Sequence, residues 1–335
     1  MTQDESAMVT DRPVRVIFMG TPEFAVPSLR ALAHVALGHG DADWLEIVSV
    51  VTRPDKPAGR GRQVVYSPVK QFALDAGLPI YQPGPLRRPE VQAALRELAP
   101  DIILVAAFGQ LLPQETLDLP AHDCLNVHAS LLPRWRGASP IAGAIRAGDA
   151  ETGVTIMRMD IGLDTGDIVS ARATPIGVDE TTGALTERLA TLGAELLMDT
   201  LPDWLARRIA PQPQDEALAT STRPLRKEDG RLDWRLSATE LSRLVRSVTP
   251  WPGAFTTWEG KLVKTLKVIP IARDTDVPPG HCYPLPHGDP RGALACACGE
   301  GALALNVIQL EGKRAVPAAD ALRGYPALAH ATLGA

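Results

Sequence analysis

Val14–Met19 reads VRVIFM, an apolar run of strand length, and Gly20 ends it. A continuous apolar run is typical of a strand that is buried on both faces of a sheet. The next residues are Thr21, Pro22 and Glu23. Because threonine is a common helix N-cap and proline favours the first helical turn, we predict a helix start here, with Thr21 as its cap. The chain therefore opens with a buried strand that leads into a helix.

The same alternation continues through the first 205 residues. A helix rich in leucine and alanine is predicted at Thr182–Trp204. Further strands are predicted at Ile47–Thr52, Ile102–Ala107, Cys124–His128 and Ile168–Ala173. Strands that alternate with helices predict βαβ units and a mainly parallel sheet. Residues 14–205 are therefore expected to form one α/β domain.

Beyond this domain the pattern changes. Leu201–Leu225 is rich in proline and polar residues, as linkers are, and Thr239–Ser247 has the character of an amphipathic helix. Two hairpins are predicted from the short strands Phe255–Trp258, Lys261–Ile269, Leu294–Cys298 and Ala302–Leu310. We therefore predict a linker over residues 206–225 and a small β-rich domain, built as a barrel, over residues 226–326.

The bulk composition sets broad limits on function. A chain of 335 residues exceeds what one compact core usually holds, which agrees with two domains. The net charge of −5 argues against nucleic-acid binding by the whole surface, although it allows a local basic patch. No apolar run approaches roughly 18 residues, and residues 1–13 carry no signal pattern. We expect a flexible N-terminus, no membrane span and a cytoplasmic location.

The four cysteines do not have the spacing of a metal site. They are Cys124, Cys282, Cys296 and Cys298. Cys296 and Cys298 lie two residues apart, so on a strand they share one face. We predict that they serve packing, with neither a metal-binding nor a redox role.

A polar pair near a strand end is the first candidate for chemistry. Asn126 and His128 project from the same face of the strand Cys124–His128, and ligands of α/β sheets gather at the carboxyl ends of strands. An amide and an imidazole suit the stabilisation of an oxyanion and the movement of a proton. A strand-ending asparagine and a hydrogen-bonded core histidine explain the same letters equally well.

Two further segments are ambiguous by themselves. Residues 161–167 (IGLDTGD) fit either a ligand-binding carboxylate loop or an ordinary turn. Residues 53–62 (RPDKPAGRGR) carry four cations that suit phosphate groups, or they form a solvated surface loop. The prolines and glycines of this second segment predict neither helix nor strand. Both the glycine fingerprint of dinucleotide sites and the Walker pattern are missing from the sequence.

Longer stretches resemble a known family. Residues 126–137 (NVHASLLPRWRG) and 148–167 (GDAETGVTIMRMDIGLDTGD) resemble the formyltransferases that use 10-formyltetrahydrofolate. Residues 18–24 (FMGTPEF), 53–61 (RPDKPAGRG) and 250–253 (PWPG) resemble the branch of that family that acts on methionyl-tRNA. The resemblance runs from about residue 14 to residue 324. The usual pattern is not followed at Ala142, Ser221 and Pro224.

The resemblance implies a fold, a reaction and a set of site residues. The fold would be a Rossmann-like folate-binding domain followed by an OB-like barrel that contacts tRNA. The reaction would move a formyl group from the folate to the α-amino group of methionyl initiator tRNA, without a metal and by a monomer. The implied site residues are, for catalysis, Asn126, His128 and Asp164; for folate, Ser130, Leu131, Leu132 and Pro133; for tRNA, Arg53, Lys56, Arg60 and Arg62.

Three other functions fit parts of the sequence. A formyltransferase acting on an amino-sugar nucleotide would share Asn126, His128 and Asp164. Such a substrate, however, offers only two phosphates to the cationic segment at residues 53–62. A catalytically silent RNA-binding protein would not need the three candidate catalytic residues. A nicotinamide-dependent oxidoreductase would need the glycine fingerprint.

Overall fold

The computed structural model describes residues 12–38, 44–58, 63–272 and 276–334. The chain divides into two compact units, and each unit is discontinuous in sequence. The first unit comprises the residues up to Pro140 together with Thr152–Pro175 and Thr186–Ser221. The second comprises Ile141–Glu151, Ile176–Leu185 and the residues from Thr222 onward. Within the described ranges, no helix is both long and apolar enough to cross a membrane.

Residues 14–222 carry the strands of the first sheet and the helices that connect many of them. In order, the strands and α-helices of these residues are β1 Val14–Gly20, α1 Val26–Ala36, β2 Leu45–Val51, β3 Lys56–Ala58, β4 Gln63–Val65, α2 Pro68–Asp75, β5 Ile80–Tyr81, α3 Pro89–Glu97, β6 Ile102–Ala106, α4 Gln114–Leu117, β7 Cys124–His128, β8 Arg136–Gly137, α5 Pro140–Ala147, β9 Glu151–Arg158, β10 Ile168–Pro175, α6 Thr182–Leu205 and β11 Ser221–Thr222.

The first unit is built on a seven-stranded sheet in the order β10-β9-β7-β6-β1-β2-β5. The pairs β1/β2, β1/β6, β2/β5 and β6/β7 are parallel, whereas β7 and β9 are antiparallel. The predicted mainly parallel, Rossmann-like sheet is therefore confirmed. Its central strands are buried along almost their whole length, which explains why they read as continuous apolar runs.

Strand β9 was not predicted, and Gly153 within it explains why. Glycine usually weakens a strand, so its presence argues against one. Here a Cβ at position 153 would lie 2.2 Å from the carbonyl oxygen of Arg172. The glycine therefore allows a close backbone approach inside the sheet.

The predicted helix start at Thr21 was wrong in detail. A short 3₁₀ turn, Glu23–Ala25, precedes α1, and no side chain caps that turn. The hydroxyl of Thr21 instead donates to the carbonyl oxygen of Phe108 at 3.3 Å. Helix α1 then packs by burying residues such as Leu29 and Leu32, which share one helical face.

The cationic segment also departs from its prediction. β3 and β4 pair as an antiparallel hairpin, with Lys56 opposite Val65. The prediction of neither helix nor strand was therefore wrong for Lys56–Ala58. Pro57 lies in a separate two-stranded sheet, in which each strand is an edge strand, and edge strands tolerate proline.

The second unit carries an antiparallel, barrel-like sheet. Its elements are α7 Ala238–Ser247, β12 Ala254–Trp258, β13 Lys261–Ile271, β14 Cys282–Pro284, β15 Leu294–Ala297, β16 Ala302–Leu310, β17 Val316–Pro317 and α8 Ala318–Gly324. The strand order is β12-β13-β16-β15-β14, with β17 on β16. Both predicted hairpins are confirmed. Helix α7 begins with a capping box, in which Ser237 and Glu240 satisfy each other's backbone N–H groups.

The cysteine prediction was wrong for Cys296. It forms a disulfide with Cys282, and the β14/β15 register places the two residues directly opposite each other. The sequence did not reveal this pair because 14 residues separate its members and the partner strand β14 was not predicted. Cys124 and Cys298 are buried and take no part in this disulfide.

Candidate active site

The candidate site begins on β7, whose five residues are all buried. Asn126 is paired in register with Val105 of β6 and with Met157 of β9, and His128 is paired with Thr155 of β9. Neighbouring strands thus fix the backbone of both residues. Asn126 and His128 retain only 9% and 6% exposure, so their side chains work in a largely water-free setting.

Asp164 joins these two side chains from the loop between β9 and β10. Its Oδ1 lies 3.5 Å from Asn126 Nδ2, and its Oδ2 lies 3.7 Å from His128 Nδ1. The first distance is a long hydrogen bond, and the second is an ion-pair distance. The structure therefore brings together all three residues that the sequence singled out for catalysis.

The second ring nitrogen of His128 fixes its tautomer. Nε2 lies 3.1 Å from the carbonyl oxygen of Trp135, and because a carbonyl can only accept, Nε2 carries the proton. In the neutral ring, Nδ1 then offers a lone pair on the side of Asp164. Burial lowers the pKa of His128, while the Asp164 carboxylate and the bond to Trp135 act in the opposite direction. The resting residue is therefore a neutral proton acceptor with a carboxylate beside it.

The segment 135–137 contacts both titratable side chains. Trp135 accepts from His128, and the backbone N–H of Gly137 donates to Asp164 Oδ2 at 2.8 Å. Trp135 is held at a positive φ of 61° and Asp164 at 54°, a region that costs most residues about 1 to 2 kcal/mol. Both strained residues point polar groups into the site. Nothing in residues 135–137 indicated this role, apart from their place in the family-like stretch 126–137.

The segment predicted as a linker also reaches this site. Gln214 Nε2 donates to the carbonyl oxygens of Asp164 and Gly166, at 2.9 and 2.6 Å. Thr220 accepts from the backbone N–H of Trp135 at 2.8 Å through its hydroxyl. Glu216 forms a two-bond ion pair with Arg136 at 2.7 and 3.0 Å. These contacts were missed because the segment's composition signals only a polar connection.

The candidate folate loop, residues 130–133, is held by its own hydrogen bonds. Ser130 Oγ donates to the carbonyl oxygen of Arg134 at 2.6 Å. Thr155 Oγ1 accepts from the backbone N–H of Leu132 and donates to the carbonyl oxygen of Ser130. Ser130 and Leu132 are buried, whereas Leu131 and Pro133 are partly exposed. The loop is thus rigid, and it follows directly from the strand that carries His128.

The candidate tRNA-binding residues are only partly described. Arg53 is exposed at the end of β2, and Gln82 donates to its carbonyl oxygen at 2.8 Å. Lys56 lies in β3, whereas Arg60 and Arg62 fall outside the described residues. The one acidic residue of the segment, Asp55, is paired with Lys70, and its pKa is lowered by that contact. Asp55 therefore does not cancel the charge of the segment's own cations.

Comparisons with known proteins agree over nearly the whole chain. The formyl transferase family model matches residues 14–201, and the model for the C-terminal domain of formyl transferases matches residues 224–326. A methionyl-tRNA formyltransferase of Geotalea daltonii is 46% identical over 96% of this chain and 98% of its own length. The same identity is found to a methionyl-tRNA formyltransferase of Methylococcus capsulatus, over 96% of this chain and all of the relative.

A solved structure extends the likeness to the fold. WlaRD, described as a sugar 3N-formyl transferase in the presence of dTDP and 5-N-formyl-THF, superposes with a TM-score of 0.61. It is 17% identical, and the match covers 90% of this chain and all of that one. At this identity the likeness concerns the fold alone.

Proposed function

This chain belongs to the formyl transferase family, and from that membership we propose that it transfers a formyl group to the α-amino group of methionyl initiator tRNA. The observation that carries the proposal is the convergence of Asn126, His128 and Asp164 at one end of β7. The acceptor follows from the methionyl-tRNA formyltransferases that match almost the full length of the chain. The protein acts as a monomer in the cytoplasm.

The formyl donor is 10-formyltetrahydrofolate, held by Ser130, Leu131, Leu132 and Pro133. The fixed backbone of this loop presents a preformed surface, which lowers the cost of ordering on binding. Three large apolar side chains on the loops after β6 and β9 are more than half exposed: Leu111, Ile161 and Leu163. Apolar side chains of this size suit the flat aromatic parts of a folate.

The reaction requires one bond to form and one to break. The neutral amine attacks the formyl carbon, negative charge builds on the formyl oxygen, and the bond from that carbon to folate N10 then breaks. The second N–H of Asn126 stabilises the developing oxyanion, and the positive charge of His128 adds to this once that ring is protonated. An α-amino group titrates near pH 8, so a neutral fraction is available without a strong base.

His128 takes the proton that the amine loses. Its Nδ1 accepts because Nε2–H is already bound to Trp135, and the imidazolium formed is then stabilised by Asp164 at 3.7 Å. The same proton passes to N10 of the departing folate. Asp164 therefore orients the ring and offsets its charge, and it need not become protonated itself.

The tRNA is held through its phosphates by the cationic segment and the second unit. Arg53, Lys56, Arg60 and Arg62 supply the cations of the segment. Arg60→Ala is expected to weaken use of tRNA more than use of folate, with the salt slope of log(kcat/KM) reduced by about 1. Arg208→Ala is the matched control, because Arg208 is an exposed arginine already paired with Asp203. An unchanged slope in the Arg60 variant would remove the segment from the binding site.

The deciding experiment compares acceptors. Purified protein is given 10-formyltetrahydrofolate with methionyl initiator tRNA, methionyl elongator tRNA, free methionine or a dTDP-linked amino sugar. Rapid transfer to initiator tRNA alone is the expected result. Transfer to the amino sugar alone would support the rival function that the fold of WlaRD also allows.

A further inference from the structure

Gln214 lies outside the candidate catalytic set, and its side chain contacts the loop of Asp164 directly. The two N–H groups of its amide reach two carbonyl oxygens, those of Asp164 and Gly166. Its Oε1 accepts from Arg136 Nε at 3.0 Å. Because a guanidinium can only donate, Arg136 fixes which end of the amide is oxygen and which is nitrogen. Both N–H groups and the oxygen of the Gln214 amide are thus hydrogen-bonded.

The two carbonyls that Gln214 holds belong to a strained stretch. Asp164 adopts a φ of 54°, in the left-handed region that non-glycine residues occupy uncommonly. Gln214 contacts the backbone of this residue and of the residue two positions later. The carboxylate of Asp164 then faces Asn126, His128 and Gly137.

Arg136 connects this clamp to the other side of the site. Its guanidinium is almost buried and binds Gln214 and Glu216, while its backbone N–H donates to Thr220 at 2.8 Å. Its two chain neighbours contact the titratable side chains: Trp135 accepts from His128, and Gly137 donates to Asp164. Arg136 therefore connects residues 135–137, which contact His128 and Asp164, to the segment 214–220.

We propose that Gln214 is a positioning residue, which holds the Asp164 loop so that its carboxylate stays beside His128. The inference rests on the proposed function and names a residue that sets its rate without touching the reacting atoms. The amide keeps Asp164 in its left-handed backbone conformation and orients Arg136 at the same time. Loss of the amide lets the loop relax, and the carboxylate then leaves the ion-pair distance to His128.

The test uses Gln214→Ala with Gln212→Ala as a matched control. Gln212 is an exposed glutamine two residues earlier, and its side chain donates to the carbonyl oxygen of Ala210 at 3.1 Å. Single-turnover formyl transfer to methionyl initiator tRNA is measured at a temperature at which circular dichroism finds each variant folded. Gln214→Ala is expected to lower the rate at saturation about tenfold to 100-fold while both KM values stay within about twofold. Gln212→Ala should match the wild type.

A second measurement, made in Asp164→Asn protein, separates a positioning role of Gln214 from a general loss of activity. In Asp164→Asn protein the Gln214→Ala change should alter the rate less than about twofold, because its effect passes through the missing carboxylate. An equal fold-loss in both backgrounds would overturn the proposal, as would a Gln214→Ala rate equal to that of Gln212→Ala. If Gln214→Ala does not fold, Gln214→Glu meets the same criteria, since it keeps the shape and loses both donors. Wild-type protein that makes no formylated product would instead refute the proposed function.

Discussion

Gly166→Ala is the sharpest test of how the Asp164 loop is held. A Cβ at position 166 would lie 1.8 Å from the carbonyl oxygen of Arg158, the last residue of β9. The contact is with backbone, so no side-chain rotation can relieve it. Gly166 also lies next to the hydrogen bond from Arg158 N to the carbonyl oxygen of Asp167, which closes the loop. The methyl group therefore has to push the loop away from the strand.

The size of the displacement follows from the contact itself. Real Cβ contacts essentially never fall below 3.0 Å, so atoms now 1.8 Å apart must separate by about 1.2 Å. A shift of this size in a catalytic carboxylate can cost about 100-fold in rate. Overpacking of this kind also costs about 1 to 3 kcal/mol of stability. We therefore expect Gly166→Ala to fold, with a lower Tm and about 1% of the wild-type rate.

The assay is single-turnover formyl transfer together with urea unfolding. Gly84→Ala serves as the control, because the nearest atoms to its new Cβ belong to the Arg88 side chain at an ordinary 3.6 Å. A Gly166→Ala rate within about threefold of wild type, in protein that is fully folded, would refute the reasoning. It would mean that the loop can move without carrying the Asp164 carboxylate with it.

Four other predictions test the site and the second unit. His128→Gln should abolish most activity and should flatten the acid side of the stability curve. The pKa of His128 is lowered by burial, so the wild type loses stability as pH falls below about 6.5, by at most about 1.36 kcal/mol per pH unit, and urea melts at several pH values measure the difference. Asp229→Asn should cost about 1 to 3 kcal/mol at pH 7, because Asp229 accepts from Arg223 and from the backbone of Arg226. Its pKa is lowered to about 2, so this loss should shrink as pH falls from about 3.8 toward 2. Leu241→Ala, in the fully buried core of the second unit, should lower the free energy of unfolding by about 2 to 5 kcal/mol in urea. Thiol titration of protein unfolded without reductant should find Cys124 and Cys298 only, and four reactive thiols would contradict the Cys282–Cys296 bond.

Most of the first unit's sheet could be predicted because its strands are buried on both faces. Such strands appear as apolar runs whatever lies around them, as Val14–Gly20 and Ile102–Ala106 do. Strand β9 was not predicted because its Gly153 is explained by the close approach of the Arg172 backbone across the sheet, a contact that no local sequence pattern contains. The disulfide partner of Cys296 was not predicted for a related reason, since disulfide pairing depends on the register of the two strands that carry the cysteines.

Asn126 and His128 could be singled out from the sequence because their types suit the chemistry and they share one strand face, whereas Asp164 was implied only by the resemblance to formyltransferases. The distances among the three residues could not be predicted, since Asp164 lies 36 positions after His128 and comes close to it through a turn with a positive φ. The roles of Trp135, Gly137 and Gln214 rest on backbone groups or on contacts to backbone groups. Apart from proline, which lacks the N–H, every residue type carries the same backbone donor and acceptor, so the sequence carries no signal for these contacts.

The ion pair between Arg136 and Glu216 bears on how this protein can be cut into parts. The family model for the first part ends at residue 201, which makes a fragment ending near there an obvious minimal enzyme to express. Such a fragment would lack Gln214, Glu216 and Thr220, and the nearly buried guanidinium of Arg136 would lose its carboxylate and its amide partner. The fragment would also lose the hydrogen bonds from Gln214 to the carbonyl oxygens of Asp164 and Gly166, which hold the loop of the candidate site. A fragment meant to keep the active site intact should therefore extend at least to Ser221, where the first unit ends.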